Sequence, residues 1–158
     1  MEQVVITKSA TETHELGRSL AKKLPGPAVI TLRGSLGAGK TQLVKGLLAG
    51  LGSAEQATSP TFALCHYYPG RVPLLHVDLY RLKFPSEIPD LGLDEALEDG
   101  FALAIEWPDG LETHLPPVDL AIQLSADPSS PDVRRIEFIS QTPLGDLLIN
   151  GLSISPSP

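Results

Sequence analysis

At 158 residues, 42% hydrophobic and 20% charged, the chain has the length and composition of one globular domain able to bury its own core. A formal net charge of −7 argues against a broad electrostatic grip on nucleic acid. A single cysteine, Cys65, excludes an intramolecular disulfide framework and fits a reducing cytosol, and no apolar run approaches the roughly 20 residues of a membrane span. The opening Met-Glu-Gln-Val-Val-Ile carries an acidic residue where a secretory signal carries basic ones, so a cytoplasmic location is expected.

In chain order, Val4 to Ile6 is a short strand, and Ser9 with Glu12 three residues on is a capping-box pattern that opens a helix. Leu16, Leu20, Ala21 and Leu24 recur at helical spacing until Pro25-Gly26-Pro27 stops it. Ala28 to Leu32 reads as a buried strand, followed by a glycine-rich loop and a helix from about Lys40 to Leu51. Phe62 to Tyr68 and Leu74 to Leu79 read as strands joined at Pro69-Gly70. Between Pro85 and Gly100 lie Glu87, Asp90, Asp94, Glu95, Glu98 and Asp99 without a Lys or Arg, either a solvated acidic face or a docking face for a basic partner. Phe101 to Ile105 is a strand closed by Glu106-Trp107-Pro108. Val118 to Leu124 and Val133 to Ile139 are two more, and the turn cluster at 126–131 is too short for a crossover helix, so that pair is expected to be antiparallel. A short helix, Leu144 to Ile149, precedes a mobile Ser/Pro tail. The expected fold is α/β, a P-loop NTPase-like mixed β-sheet flanked by helices, with one domain over 1–140 and a partly mobile extension over 141–158.

The chemistry concentrates in Gly34-Ser-Leu-Gly-Ala-Gly-Lys40-Thr41, which satisfies the phosphate-loop pattern in full. Its glycines permit positive φ and a close approach of backbone N–H groups to phosphate oxygens. The helix that starts at Lys40 adds its positive end. Lys40 is expected to reach the β- and γ-phosphates, and the Thr41 hydroxyl to ligate magnesium. The expected nucleotide-binding set is Gly34, Ser35, Leu36, Gly37, Ala38, Gly39, Lys40, Thr41 and Gln42. Such an enzyme also needs a strand-end carboxylate for the metal. Asp78 ends Leu74-Leu-His-Val-Asp, and Glu106 ends Phe101-Ala-Leu-Ala-Ile-Glu in the same way. One would serve the metal shell and the other would orient water, with the assignment open. Catalytic candidates are thus Lys40, Asp78 and Glu106, and metal candidates Thr41, Asp78 and Glu106. His76, two residues before Asp78, points to the same side of its strand and reads as a supporting histidine. His14, His66 and His114 lack metal-ligand spacing, and Cys65 reads as a small apolar residue. Trp107, beside Glu106 at the expected active edge, either simply packs there or lies near the nucleotide.

The strings "GSLGAGKT", "SPTF" (59–62), "HVDLYRL" (76–82), "LGLDE" (91–95) and "IEWPD" (105–109) occur in that order. Together they resemble the bacterial TsaE family, the ATPase component of the threonylcarbamoyl-adenosine tRNA modification system, over roughly residues 4–140. The resemblance implies ATP and Mg2+ as ligands and Thr61 as a switch-like residue near the metal and γ-phosphate. It further implies Asp78 as the essential acid near the metal, and Glu106 with Trp107 as the pair engaged in nucleotide binding and hydrolysis. It implies TsaD and TsaB homologues as partners, with tRNA touched only through that complex. Ser35 stands where the family usually has Asp. Backbone amides do most of the cradling, so binding is expected to survive the difference.

Two other readings compete. A small-molecule kinase of the phosphate-loop class needs an acceptor pocket and a lid with clustered arginines. This chain has no arginine between Arg81 and Arg134, only Lys83 as a cation in that interval, and Arg134-Arg135 falls in a strand where neighbours face opposite sides. A non-hydrolysing ATP-sensing subunit would signal through the Ser59-Pro-Thr61 loop. The intact Lys40, Thr41, Asp78 and Glu106 argue for retained hydrolysis, slow without a trans-acting arginine; Arg81 is a candidate local substitute but reads better as a surface ion-pair residue.

Overall fold

A computed structural model describes residues 1–35, 37–53, 65–80, 82 and 84–154. Leu36, Thr61, Arg81, Lys83, the start of the strand expected from Phe62 and the last four residues of the tail lie outside the described residues. Strand β1 (Glu2–Thr7) leads into helix α1 (Ala10–Lys22). Ser9 caps that helix, its hydroxyl accepting from the Glu12 N–H at 3.1 Å. The reciprocal half of the expected capping box differs: the Glu12 carboxylate accepts from the Lys8 N–H at 2.6 Å, one residue before the cap.

Strand β2 (Val29–Arg33) runs into the phosphate loop and helix α2 (Lys40–Gly50). Strands β3 (Cys65–Tyr68) and β4 (Leu74–Asp78) form the hairpin around Pro69-Gly70. The acidic stretch folds as a 3-10 helix over Pro85–Leu91 and a short helix α3 (Leu93–Glu98). Ile88, Leu93 and Ala96 are buried while Asp90, Asp94, Glu95, Glu98 and Asp99 face out, which is the solvated-face arrangement. Strand β5 (Ala102–Glu106), a hairpin of β6 (Leu120–Asp127) and β7 (Ser130–Ser140), and helix α4 (Pro143–Ile149) complete the chain.

The seven strands form one sheet in the order β1-β7-β6-β2-β5-β4-β3. Pairs β2–β5, β2–β6 and β4–β5 are parallel, whereas β1–β7, β6–β7 and β3–β4 are antiparallel, so the sheet is mixed and the terminal hairpin is antiparallel as expected. Because successive strand residues alternate faces, Ile30 and Leu32 join one core with α1, α2 and α4, while Val29 joins a second core with Leu75, Val77, Leu103, Ile105 and the acidic segment. Helix α4 is capped by Thr142 and places Leu148 and Ile149, with Leu152 beyond it, in the first of these cores.

Helices α1 and α2 touch backbone to backbone. A Cβ built at Gly46 would stand 2.0 Å from the His14 carbonyl oxygen, and one at Gly17 would stand 2.3 Å from that of Leu43. This close crossing anchors α2, whose first turn carries the lysine and threonine of the loop.

Candidate nucleotide site

Buried strand β2 is the platform of the site, since Val29 to Leu32 leave no freedom in where the chain exits. Gly34 takes φ +153°, and a side chain there would meet the Leu124 carbonyl at 2.7 Å. Gly39, at φ +103°, is the N-cap of α2, a left-handed position that glycine adopts without strain. Between them the Ala38 N–H donates to the Ser35 carbonyl at 3.1 Å, closing a turn. Lys40 is buried; its ammonium donates to the Gly34 carbonyl and lies 3.6 Å from the centroid of the Trp107 ring, a cation–π contact. Burial lowers the Lys40 pKa, and the charges of Glu106, Asp78 and Asp109 oppose that shift.

Parallel pairing of β4 with β5 sets Asp78 in register with Glu106. Two hydrophobic strands therefore end side by side in carboxylates, beside the loop that follows β2. Glu106 is buried, its Oε2 lying 3.2 Å from Nε2 of the fully buried His76. The other ring nitrogen, Nδ1, has no hydrogen-bond partner among the described residues. Asp78 is half-buried and its Oδ1 accepts from the Tyr80 N–H at 3.0 Å. Burial raises the Asp78 pKa, with Glu106 adding to the rise; the Tyr80 bond, His76 and Lys40 act against it.

Trp107 has φ +61°, the left-handed region that bulky residues avoid, and no other described non-glycine residue has positive φ. Its backbone N–H donates to the Leu32 carbonyl at 3.3 Å, and its ring lies tilted by 49° against that of Tyr80, with centroids 5.1 Å apart. Beyond it, Arg33 at the end of β2 pairs with Asp109 at 3.1 Å and with Glu112, tying the exit of β5 back to the platform.

One cavity of about 320 Å³, a size suited to a small-molecule ligand, brings most of the sequence-derived residues together: Gly37, Gly39, Lys40, Thr41, Gln42, Asp78, Glu106 and Trp107. Gly34 stands behind it as the acceptor for Lys40, Ala38 is buried beneath the loop, and Ser35 faces out with its carbonyl closing the turn. The opposite wall is formed by Ser9, Ala10 and Thr13 of the α1 start and by Asp132 and Arg134 of β7. Sequence reasoning missed that wall. Strand alternation separates Arg134 from Arg135, but only the sheet order places β7 near the loop; Arg135 instead pairs with Glu137 at 2.6 Å.

Among the described residues no three His, Cys, Asp or Glu side chains gather into a ready-made metal cage. Magnesium does not require one, because it keeps several waters and takes one or two protein oxygens together with substrate phosphates. The Thr41 hydroxyl and the Asp78 and Glu106 carboxylates are hard oxygen donors of that type, and all three line the cavity. The remaining three histidines lie outside the cavity lining: His66 contacts Tyr68, His14 neighbours Glu15, and His114 ends the 3-10 turn Glu112–His114. Cys65 packs half-buried against the second core, and burial pushes its thiol pKa up.

Comparison with known proteins gives the family. The sequence profile for "Threonylcarbamoyl adenosine biosynthesis protein TsaE" matches residues 7–136. The chain belongs to the TsaE family. It is 36% identical over 148 residues to the tRNA threonylcarbamoyladenosine biosynthesis protein TsaE of Bacillus subtilis, covering 93% of this chain and 91% of that one. To the TsaE protein of Treponema pallidum it is 39% identical over 119 residues, 75% of this chain and 88% of the other. The fold is similar to the crystal structure of Bacillus subtilis YdiB, with a TM-score of 0.75 at 31% identity over 96% of this chain and 94% of that one. The TsaE match spans the loop, both carboxylates and Arg134, so every residue lining the cavity belongs to the shared region. No helix among the described residues of this TsaE-family chain is long and apolar enough to cross a membrane.

Proposed function

We propose that the chain binds ATP with Mg2+ in this cavity and hydrolyses it, and that the hydrolysis drives the tRNA threonylcarbamoyladenosine cycle through a TsaD–TsaB complex in the cytoplasm. The observation that carries the reading is that one shared cavity is lined by Lys40 and Thr41, at the start of α2, and by Asp78 and Glu106, at the ends of two adjoining strands. Backbone N–H groups at the α2 terminus, with Lys40, offer the charge that a polyphosphate needs. Membership of a family named for threonylcarbamoyl adenosine biosynthesis supports the destination of the energy.

The two carboxylates suit different tasks. Asp78 is half-buried and lines the cavity with Thr41, which supports giving these two the role of magnesium donors. A magnesium ion held there by Asp78 and Thr41 would supply neutralisation of developing negative charge. Glu106 is held by His76, which supports giving it the task of orienting a water and accepting its proton. Lys40 exchanges its Gly34 and Trp107 contacts for phosphate oxygens when nucleotide enters. Docking on the partner pair leaves tRNA recognition to that complex, in keeping with the net charge of −7.

The test is Mg-ATP hydrolysis by the purified protein, alone and with a TsaD–TsaB pair. The expected result is a rate well below the roughly 1–100 per second of kinases when alone. It should rise with the pair, vanish in Lys40→Ala, and fall about 10²-fold or more in Glu106→Gln with ADP binding retained. A rate indifferent to the pair removes the partner-driven reading, and full activity in Glu106→Gln removes the role given to that carboxylate.

A further inference from the structure

The sheet order delivers one cation to the phosphate loop from the side away from Asp78 and Glu106. Strand β7 lies two places from β2 across β6, whereas β5 and β4 lie on the other side. The β6–β7 register slips at its tip: Ala126 faces Arg134, but Asp127 faces Ser130, so residues 131–133 bulge out of the ladder. Such a bulge bends its strand and re-aims the neighbouring side chain. Here the Arg134 guanidinium folds across the bulge, one terminal nitrogen (Nη1) donating to the carbonyls of Pro131 and Val133, the latter at 3.0 Å. The other terminal nitrogen, Nη2, reaches out of the hairpin and donates to the carbonyl of Gly37 at 3.2 Å. The Nε lies 3.9 Å from where a Cβ on Gly39 would stand.

The consequence falls on one peptide plane. The bond joining Gly37 to Ala38 has its carbonyl held by Arg134 and its N–H held by the Ser35 carbonyl. A planar peptide fixed at both ends cannot flip without losing both bonds. A flip would turn the carbonyl away from Arg134 and open the Ser35 turn that gives the loop its shape. Lysine cannot substitute in this role, because a point ammonium does not span three carbonyls as the planar fork of a guanidinium does.

We propose that Arg134 is a positioning residue of the phosphate loop: braced on the β6–β7 bulge, it locks the Gly37–Ala38 peptide, and with it the Ser35 turn, in the shape the loop presents to phosphate. The proposal deepens the ATP reading above, but its first test needs no nucleotide. Amide exchange by NMR on the ligand-free protein should show the Ala38 amide exchanging about tenfold faster in Arg134→Ala, with the amides of β2 and β5 unchanged; a lost hydrogen bond to a charged group is worth at least that factor. Unchanged Ala38 exchange overturns the proposal. So does a rise shared equally by β2 and β5, which marks general destabilisation. In the nucleotide arm, ADP and ATP should weaken together by about tenfold with kcat little changed, since the effect acts on the loop before chemistry. A fall in kcat at constant KM overturns the positioning role. If the alanine variant does not fold, Arg134→Lys carries the test: faster Ala38 exchange and weaker ADP support the brace, and wild-type behaviour in both overturns it. Should the parent fail to bind ATP, the functional reading fails while the exchange result still decides the brace.

Discussion

Replacing Gly46 with alanine sets two known effects against each other. In a helix interior alanine is better than glycine by about 0.5–1 kcal/mol. Against this, the new Cβ would lie 2.0 Å from the His14 carbonyl oxygen, 2.9 Å from its carbon and 3.0 Å from the Arg18 nitrogen. Reaching an ordinary contact of 3.4 Å means parting α1 from α2 by about 1.4 Å, and the obstructing atoms are backbone, which no rotamer change removes. Parting the helices also loosens Leu16, Leu20, Leu43 and Leu47, all fully buried in the same core. Overpacking of this kind costs about 1–3 kcal/mol, occasionally more, and the upper end applies where backbone must move. The strain therefore wins, by about 2 kcal/mol. At about 2–4 °C per kcal/mol for a domain of this size, the melting temperature should fall by about 4–8 °C. Thermal unfolding followed by circular dichroism measures it, with Gly26→Ala, where a Cβ meets nothing within 4 Å, as the neutral comparison. A Gly46→Ala protein that melts at or above the parent refutes the reasoning, because it would mean that the helices separate at no cost and propensity decides.

Two further outcomes follow from the site. Trp107 is the sole tryptophan, and it has the Lys40 ammonium 3.6 Å from its ring centroid. Adding ADP should change its emission as Lys40 leaves the ring for phosphate, and Lys40→Ala should abolish the response; an unaltered response in that variant would sever the link between the two residues. Asp78→Asn should raise the melting temperature at pH 7, since burial raises the carboxyl's pKa and its ionised form is the less stable one in the fold. The sign is fixed by linkage: a folded pKa above the unfolded 3.8 means that the folded state binds more protons in between, so stability is lost as pH rises through that window. The gain from Asn is therefore full above the folded pKa and disappears below the unfolded one, and a gain that grows on acidification contradicts the assignment. Half-burial keeps the size of the gain modest.

Local chemistry written along the chain determined the phosphate loop, the helix after it, and the two strands that end in Asp78 and Glu106. Each depends on neighbours within a few residues: glycines where φ is positive, a run of apolar residues, an acid at its end. Family resemblance, carried by the same short strings, named the chemistry for the same reason. Tertiary structure alone decided which strands lie side by side. Asp78 and Glu106 face each other only because β4 pairs with β5 in parallel register, and Arg134 reaches Gly37 only because β7 is folded back over β6 with a bulge at its tip. Ser9 and Thr13 join the cavity because Gly17 and Gly46 let α1 approach α2 more closely than any side chain would allow. Those placements are set by burial of two sheet faces summed over the whole chain. A period of two tells a residue which face it occupies, and only the closed sheet tells it what lies across from it.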